Sequence, residues 1–226
     1  MNWEEHGQRE EARYADALER LPDDPERRQK QLVRAAMTAG GAGLARLMQG
    51  RRAEAAGWLA RSAERYRESW DDAPPASWGR LIGALKARLL AGDWEGAESD
   101  ARWVLDQAPD SGGSPIGVYA AVLAELVLGQ DAAAAALAER LQSAAADDFP
   151  APVAEALAAL AASQAREYEA ACTAVLASFE SREAYLEEIP VADTVIVLEA
   201  LAERRGIAAR PSSDLLPAAS PGRGAG

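Results

Sequence analysis

The sequence holds one cysteine, one histidine and two lysines in 226 residues. A lone Cys172 excludes an intrachain disulfide and any cysteine-based metal cluster, and it suits a reducing compartment. A lone His6 beside a lone cysteine rules out the usual zinc ligand sets. No apolar run approaches the length of a membrane span, and the Ala-rich stretch after Asp131 is too short and too weakly apolar. The opening Met1-Asn2-Trp3-Glu4-Glu5 is polar and acidic, unlike a secretory signal, so a soluble cytoplasmic protein is expected. Period-two alternation is missing throughout, which excludes a sheet as the organising element. Lys30 and Lys86 stand alone among many arginines, a skew that carries no mechanism of its own.

What is present is alanine, helix periodicity and acid. Hydrophobic residues make up 49% of the chain, enough to fold. Alanine favours helix but adds little apolar area, so the expected core is thin and built from close helix contacts. Net charge is −12, and it is uneven. Residues 1–109 carry 17 basic against 19 acidic side chains, while residues 110–226 carry 7 against 17. Such acidity opposes nucleic-acid binding, which rests on neutralising phosphates, and it admits a basic protein partner.

Helix runs alternate with Gly, Pro and Asp punctuation. Pro22-Asp23-Asp24-Pro25 ends a first helix and caps a second. Gln49-Gly50 and Gly92-Asp93 are turns, Asp71–Pro75 is a loop, and Ser77 and Ser114 are expected N-caps. The pattern predicts an all-α chain of about ten helices, with a single domain over 1–206 and a flexible tail over 207–226. A short helix is expected over Ser181–Glu188, and Gly40-Gly41 is read as a bend in the second helix or a place where another helix packs.

A period runs through the turns. Gly50, Gly92 and Gly129 are each followed five residues later by Ala55, Ala97 and Ala134, and a further step of 37 from Ala134 reaches Ala171. In the unit that starts at Leu89, Gly92, Trp94, Ala97, Leu105 and Pro109 fall in an order that resembles the tetratricopeptide (TPR) family. The resemblance covers about 40–205. It implies a right-handed stack of antiparallel helical hairpins, a TPR-like α-solenoid. It departs from the family at Leu85 and Arg88, where a small and an aromatic residue are favoured, and at Arg52 and Asp131, where the aromatic after the turn is missing. The fourth unit lacks a turn glycine.

No constellation for catalysis stands out. His6 in a terminal helix reads as a surface residue, and Cys172 as a buried inert thiol. The pairs Asp23-Asp24, Asp71-Asp72 and Asp147-Asp148 sit at loops and helix starts, where capping explains them. The Gly-rich stretch Thr38–Gly50 lacks the lysine and preceding strand of a phosphate loop. Neither catalytic, cofactor-binding nor metal-binding residues are therefore assigned.

The expected activity is non-enzymatic: a helical-repeat surface that binds a basic protein or peptide, with neither nucleic acid nor membrane as partner and no cofactor. Glu180, Glu183, Glu187 and Glu188, with an exposed Tyr185 among them, form one candidate partner surface. Trp70 and Trp78, flanking the loop DDAPPAS and expected to be partly exposed, form another. Trp58, Trp94 and Trp103 read as fillers between Ala-rich helices. The acidic all-helical build is also similar to some bacterial toxin-immunity proteins, which would make the partner a basic toxin domain. A small-ligand binder or enzyme with a pocket between hairpins is the competing class.

Overall fold

Four turns of one design organise the chain. In a computed structural model, which describes residues 1–107, 113–185 and 188–218 and, within these, no side chains over 144–148, Gly50, Gly92, Gly129 and Ser163 all take a left-handed backbone, with φ of 74°, 71°, 70° and 53°. Each turn closes the preceding helix with the same bond: the amides of Arg51, Asp93, Gln130 and Gln164 donate to the carbonyls of Arg46, Arg88, Glu125 and Ala159. Each opens the next helix alike, with Ala55, Ala97, Ala134 and Tyr168 donating to the residue four before. This is a glycine-type helix stop run straight into a helix start. It folds the chain back within three residues and makes a hairpin.

Ten α-helices result among the described residues: α1 (Trp3–Glu19), α2 (Pro25–Met48), α3 (Arg52–Glu68), α4 (Trp78–Ala91), α5 (Trp94–Gln107), α6 (Pro115–Val127), α7 (Asp131–Asp148), α8 (Ala151–Ala161), α9 (Ala165–Glu180) and α10 (Asp193–Arg205). Among the described residues there is no strand, and no helix is long and apolar enough to cross a membrane. The four turns pair α2 with α3, α4 with α5, α6 with α7 and α8 with α9. Successive helices pack on one another along the chain, and the first helices α4, α6 and α8 also touch. Helix α10 leaves this order. It packs on α4, α8 and α9 together, burying Val195, Val197, Leu198 and Leu201.

Small residues set the helix spacing. Ala55, Ala97 and Ala134 are fully buried where their hairpins close. The fourth unit differs from the sequence expectation. Its turn residue is Ser163, so the matching position is Tyr168 rather than Ala171. The Tyr168 side chain is fully buried, and its hydroxyl reaches Glu199 of α10 at 2.7 Å. Helix α2 runs unbroken through Gly40-Gly41. Its glycines serve packing instead: a Cβ on Gly43 would lie 2.6 Å from Leu59 Cγ, and one on Gly41 would lie 2.8 Å from Ile189 Cδ1.

Asp24 caps α2 as expected, accepting from the Arg27 amide at 2.9 Å. Ser77 and Ser114 make no side-chain cap bond, and Ser77 Oγ donates to Pro74 O instead. Buried ions tie the first hairpins. Arg46 is 5% exposed and pairs with Glu4 at 2.9 Å and Glu11 at 2.6 Å, joining α2 to α1. Asp100 is 1% exposed and pairs with Arg67 and, at 3.2 Å, with Arg88. That bridge gives Arg88 its place in the wall between α3, α4 and α5. Arg80, also buried, donates to Ser69 O at the C-cap of α3 and to Gln29 Oε1 of α2; no carboxylate faces it among the described residues. Its cation instead meets the partial negative charge of a helix end.

The segment after α10 corrects the expected tail. Residues 207–218 dock. Ile207, Ala208, Ala209, Leu215 and Leu216 pack on the core, and the Ala192 amide donates to Leu215 O at 2.9 Å. Glu199 holds the start of this strap, accepting from the amides of Ala209 at 3.1 Å and Arg210 at 2.6 Å. Apolar area and two charge-assisted bonds outweigh the composition that suggested disorder. Residues 219–226, Pro109 and the Gly112 part of the linker lie outside the described residues.

Candidate functional site

Where α2, α3 and α4 meet the segment that enters α10, the packing leaves a cavity of about 350 Å³. Ala36, Gly40, Ile82, Gly83 and Leu90 line its helical side, and Phe179, Arg182, Tyr185 and Ile189 its other side. A second cavity, of about 280 Å³, lies between α6, α8 and α9 and is lined by Ile116, Tyr119, Phe149 and Val153. Ile82, Phe179, Arg182 and Thr194 line both cavities. The two are therefore neighbours across one partition.

Polar groups in these walls have partners inside the protein. Lys86 Nζ lies 2.5 Å from Asp193 and 3.2 Å from Thr194 Oγ1, joining α4 to the start of α10. Burial works against the Lys86 charge, but the Asp193 carboxylate outweighs it and holds the ammonium above its ordinary range. Tyr185 donates to Phe179 O at 2.7 Å, and Ser62 to Ala36 O at 2.8 Å. The Arg182 guanidinium stacks on the Phe179 ring at 3.7 Å. No ion pair of Arg182 is found among the described residues.

The candidate acidic surface is not a helical stripe. Helix α9 ends at Glu180, residues 181–185 are turn and irregular chain, and Glu188 is in a 3-10 turn, so the expected helix over Ser181–Glu188 does not start at Ser181. Glu180 is exposed and accepts from Ser213 Oγ of the strap at 2.7 Å. Glu183 is exposed. Glu188 takes φ of 58° and meets Arg9 of α1 at 3.4 Å. Glu187 lies outside the described residues. Tyr185, expected exposed, is half-buried against the core, because its hydroxyl is drawn to Phe179 O.

Trp70 and Trp78 are half-buried, as expected, and their ring centroids lie 6.5 Å apart. Trp103 meets Trp70 edge-on at 5.9 Å, and Trp70 Nε1 donates to Gln107 at 2.9 Å. All three rings pack on the core. They form one aromatic cluster between α3, α4 and α5, separate from the acidic segment. Trp58 and Trp94 are likewise half-buried, under Arg61 and Arg204.

His6 corrects the surface reading: it is 6% exposed, with Nδ1 3.0 Å from Arg9. Burial and the nearby Arg9 charge hold its pKa below the ordinary value. Cys172 is buried, as expected. Burial pushes its thiol up to about 11, which leaves almost no thiolate at neutral pH. The two residues sit on α1 and α9 and have different partners. Among the described residues no group of three or more His, Cys, Asp or Glu is placed to hold a metal ion. Sequence reading missed the cavity walls, since Ile82, Phe179, Arg182 and Thr194 come from three separate stretches. The rarity of lysine was the one available signal, and it marks Lys86. No family model, curated protein or solved structure matches this chain.

Proposed function

We propose that the chain is a non-enzymatic, cytoplasmic scaffold of TPR-like hairpins that binds a basic protein partner through its acidic second half. One contrast carries this reading. In the first half, Glu4, Glu10, Glu11, Glu54, Glu68, Asp93 and Asp100 are engaged in ion pairs within the protein, and exposed acids such as Glu19, Asp71, Asp72 and Glu95 stand among nearly as many basic residues, 17 against 19. In the second half, Glu139, Glu155, Glu167, Glu169 and Glu183 are exposed, with no ion pair among the described residues. Charge that does not serve the fold is available to a partner, and it speeds encounter with a basic one.

Helix α10 occupies part of the row of first helices. The partner therefore meets outward surfaces of α7 to α9 and the Glu180–Glu188 segment rather than an empty groove. Neutralisation of a basic toxin domain is a special case of this reading. The repulsion between an acidic surface and phosphates argues against nucleic acid as the partner.

The test is a pull-down from the native host, followed by binding kinetics on the purified partner at low and moderate ionic strength. Changing Glu167, Glu169 and Glu183 together to Lys leaves the fold intact. It slows association and flattens its salt dependence. A partner of acidic character, or unchanged association rates at both salt concentrations, would sink the reading.

A further inference from the structure

The cavities on either side of Arg182 have a chemistry of their own, unrelated to the acidic surface. Their walls are apolar where a ligand's body would lie: Leu44, Ile82 and Leu90 in the larger, Ile116, Phe149 and Val153 in the smaller. Small-molecule sites share this make-up, a mainly apolar lining of roughly 300–1,000 Å³ with few fixed polar groups. The larger cavity alone falls in that range, at about 350 Å³.

The wall charges select what can enter. Lys86 and Asp193 neutralise each other at 2.5 Å. Ser62, Tyr185 and Thr194 are bonded inside the protein, and Tyr66 is engaged as well. Arg182 differs. Its exposed guanidinium sits over the Phe179 ring, Cζ 3.7 Å from the ring centroid, with no acidic partner among the described residues. A stacked guanidinium keeps the N–H groups on its edge for an anion, and the planar fork suits a carboxylate. Phe179 also anchors Tyr185 through its carbonyl, so both side chains at this point are held in place before any ligand arrives. A cationic ligand would meet Arg182 directly. Arg182 is exposed, so the head of a ligand would sit at the mouth of the cavities, and a neutral head would gain no ion pair there.

We propose that the two cavities form one binding site for a small amphipathic carboxylate, with its apolar tail between α2 and α4 and its head on Arg182. Arg182 lies on the same 180–188 segment as the proposed partner surface, but the cavities it fronts call for a ligand of the opposite charge, and ligand titration reads them without the partner. Each can fail without the other.

The test uses the full chain and three ligands with the same tail: decanoate, decanol and decylamine, titrated by calorimetry below their micellar concentrations. Decanoate binds saturably at one site, decanol roughly tenfold more weakly, and decylamine not measurably. Arg182→Gln brings decanoate down to the level of decanol and leaves decanol unchanged. Ile82→Trp, which fills the partition between the cavities, removes both. Three results would overturn the proposal: no saturable decanoate binding, decylamine binding as tightly as decanoate, or an Arg182→Gln variant that still prefers the carboxylate. The series of ligands on the unaltered protein decides the matter even if Ile82→Trp does not fold.

Discussion

Ser163 holds, at φ of 53°, the place in its turn that Gly129 holds at 70° in the turn before. A side chain in the left-handed region crowds its own backbone, at a cost of about 1–2 kcal/mol, and glycine escapes it. Ser163 is exposed, so its hydroxyl gains little in return. Ser163→Gly is expected to stabilise the protein by about 1 kcal/mol, read from the midpoint of urea unfolding with an unchanged slope. A destabilised variant would show that the serine is there for its own bonds.

Ala97 is fully buried where α4 and α5 close. Replacing it with Leu adds bulk to a contact without room, and overpacking of this kind typically costs about 1–3 kcal/mol. Thermal unfolding measures the loss. A neutral Ala97→Leu would mean that the hairpin closes more loosely than the zero exposure of Ala97 implies.

Glu199 gathers Tyr168, Cys172 and the amides of Ala209 and Arg210 around one carboxylate. Glu199→Ala is expected to release the strap and leave Tyr168 without its acceptor, costing about 1–3 kcal/mol. Hydrogen exchange should rise first at the amides of residues 209 and 210. Removing everything after Gly206 should destabilise by at least as much, because it also bares the core under Leu215 and Leu216. Full stability of the truncated chain would sink this account.

Burial, helped by Arg9, lowers the His6 pKa below 6.5. The unfolded chain then binds the proton more readily than the folded one. Stability attributable to His6 is complete above 6.5 and is lost as pH falls through the lower folded value. His6→Gln should flatten the acid side of the stability profile between pH 7 and 5, as followed by circular dichroism. An identical slope in both proteins would assign the acid loss to other groups.

Much of the fold was legible, because its turns are written in glycine. Gly50, Gly92 and Gly129 each mark a hairpin, and the alanine five residues on marks its closure. Ser163 carries no such mark, so the fourth unit was drawn three residues out of frame, at Ala171 instead of Tyr168. Helical spacing of glutamates around 183 suggested a helix, yet α9 stops at Glu180 and Tyr185 turns inward to Phe179 O. Spacing along a chain shows where side chains would lie if the helix continued; it does not say that the helix continues. His6 was misplaced for a similar reason: terminal position suggests exposure, but α1 lies against α2 and buries it. The cavities around Arg182 depend on α10 crossing the stack, and no local pattern announces a crossing.

That crossing has a consequence for how the gene can change. Chains made of stacked hairpins lengthen and shorten readily, since each unit meets only its neighbours and the ends are free. Here α10 touches α4 and α8 at once, and Lys86 meets Asp193 over an interval of more than a hundred residues. A duplicated or deleted hairpin between α4 and α8 would carry these docking points out of reach of each other. The number of hairpins is thereby fixed, and variation is channelled into substitutions on the outer surfaces, where new specificities can arise without disturbing the span.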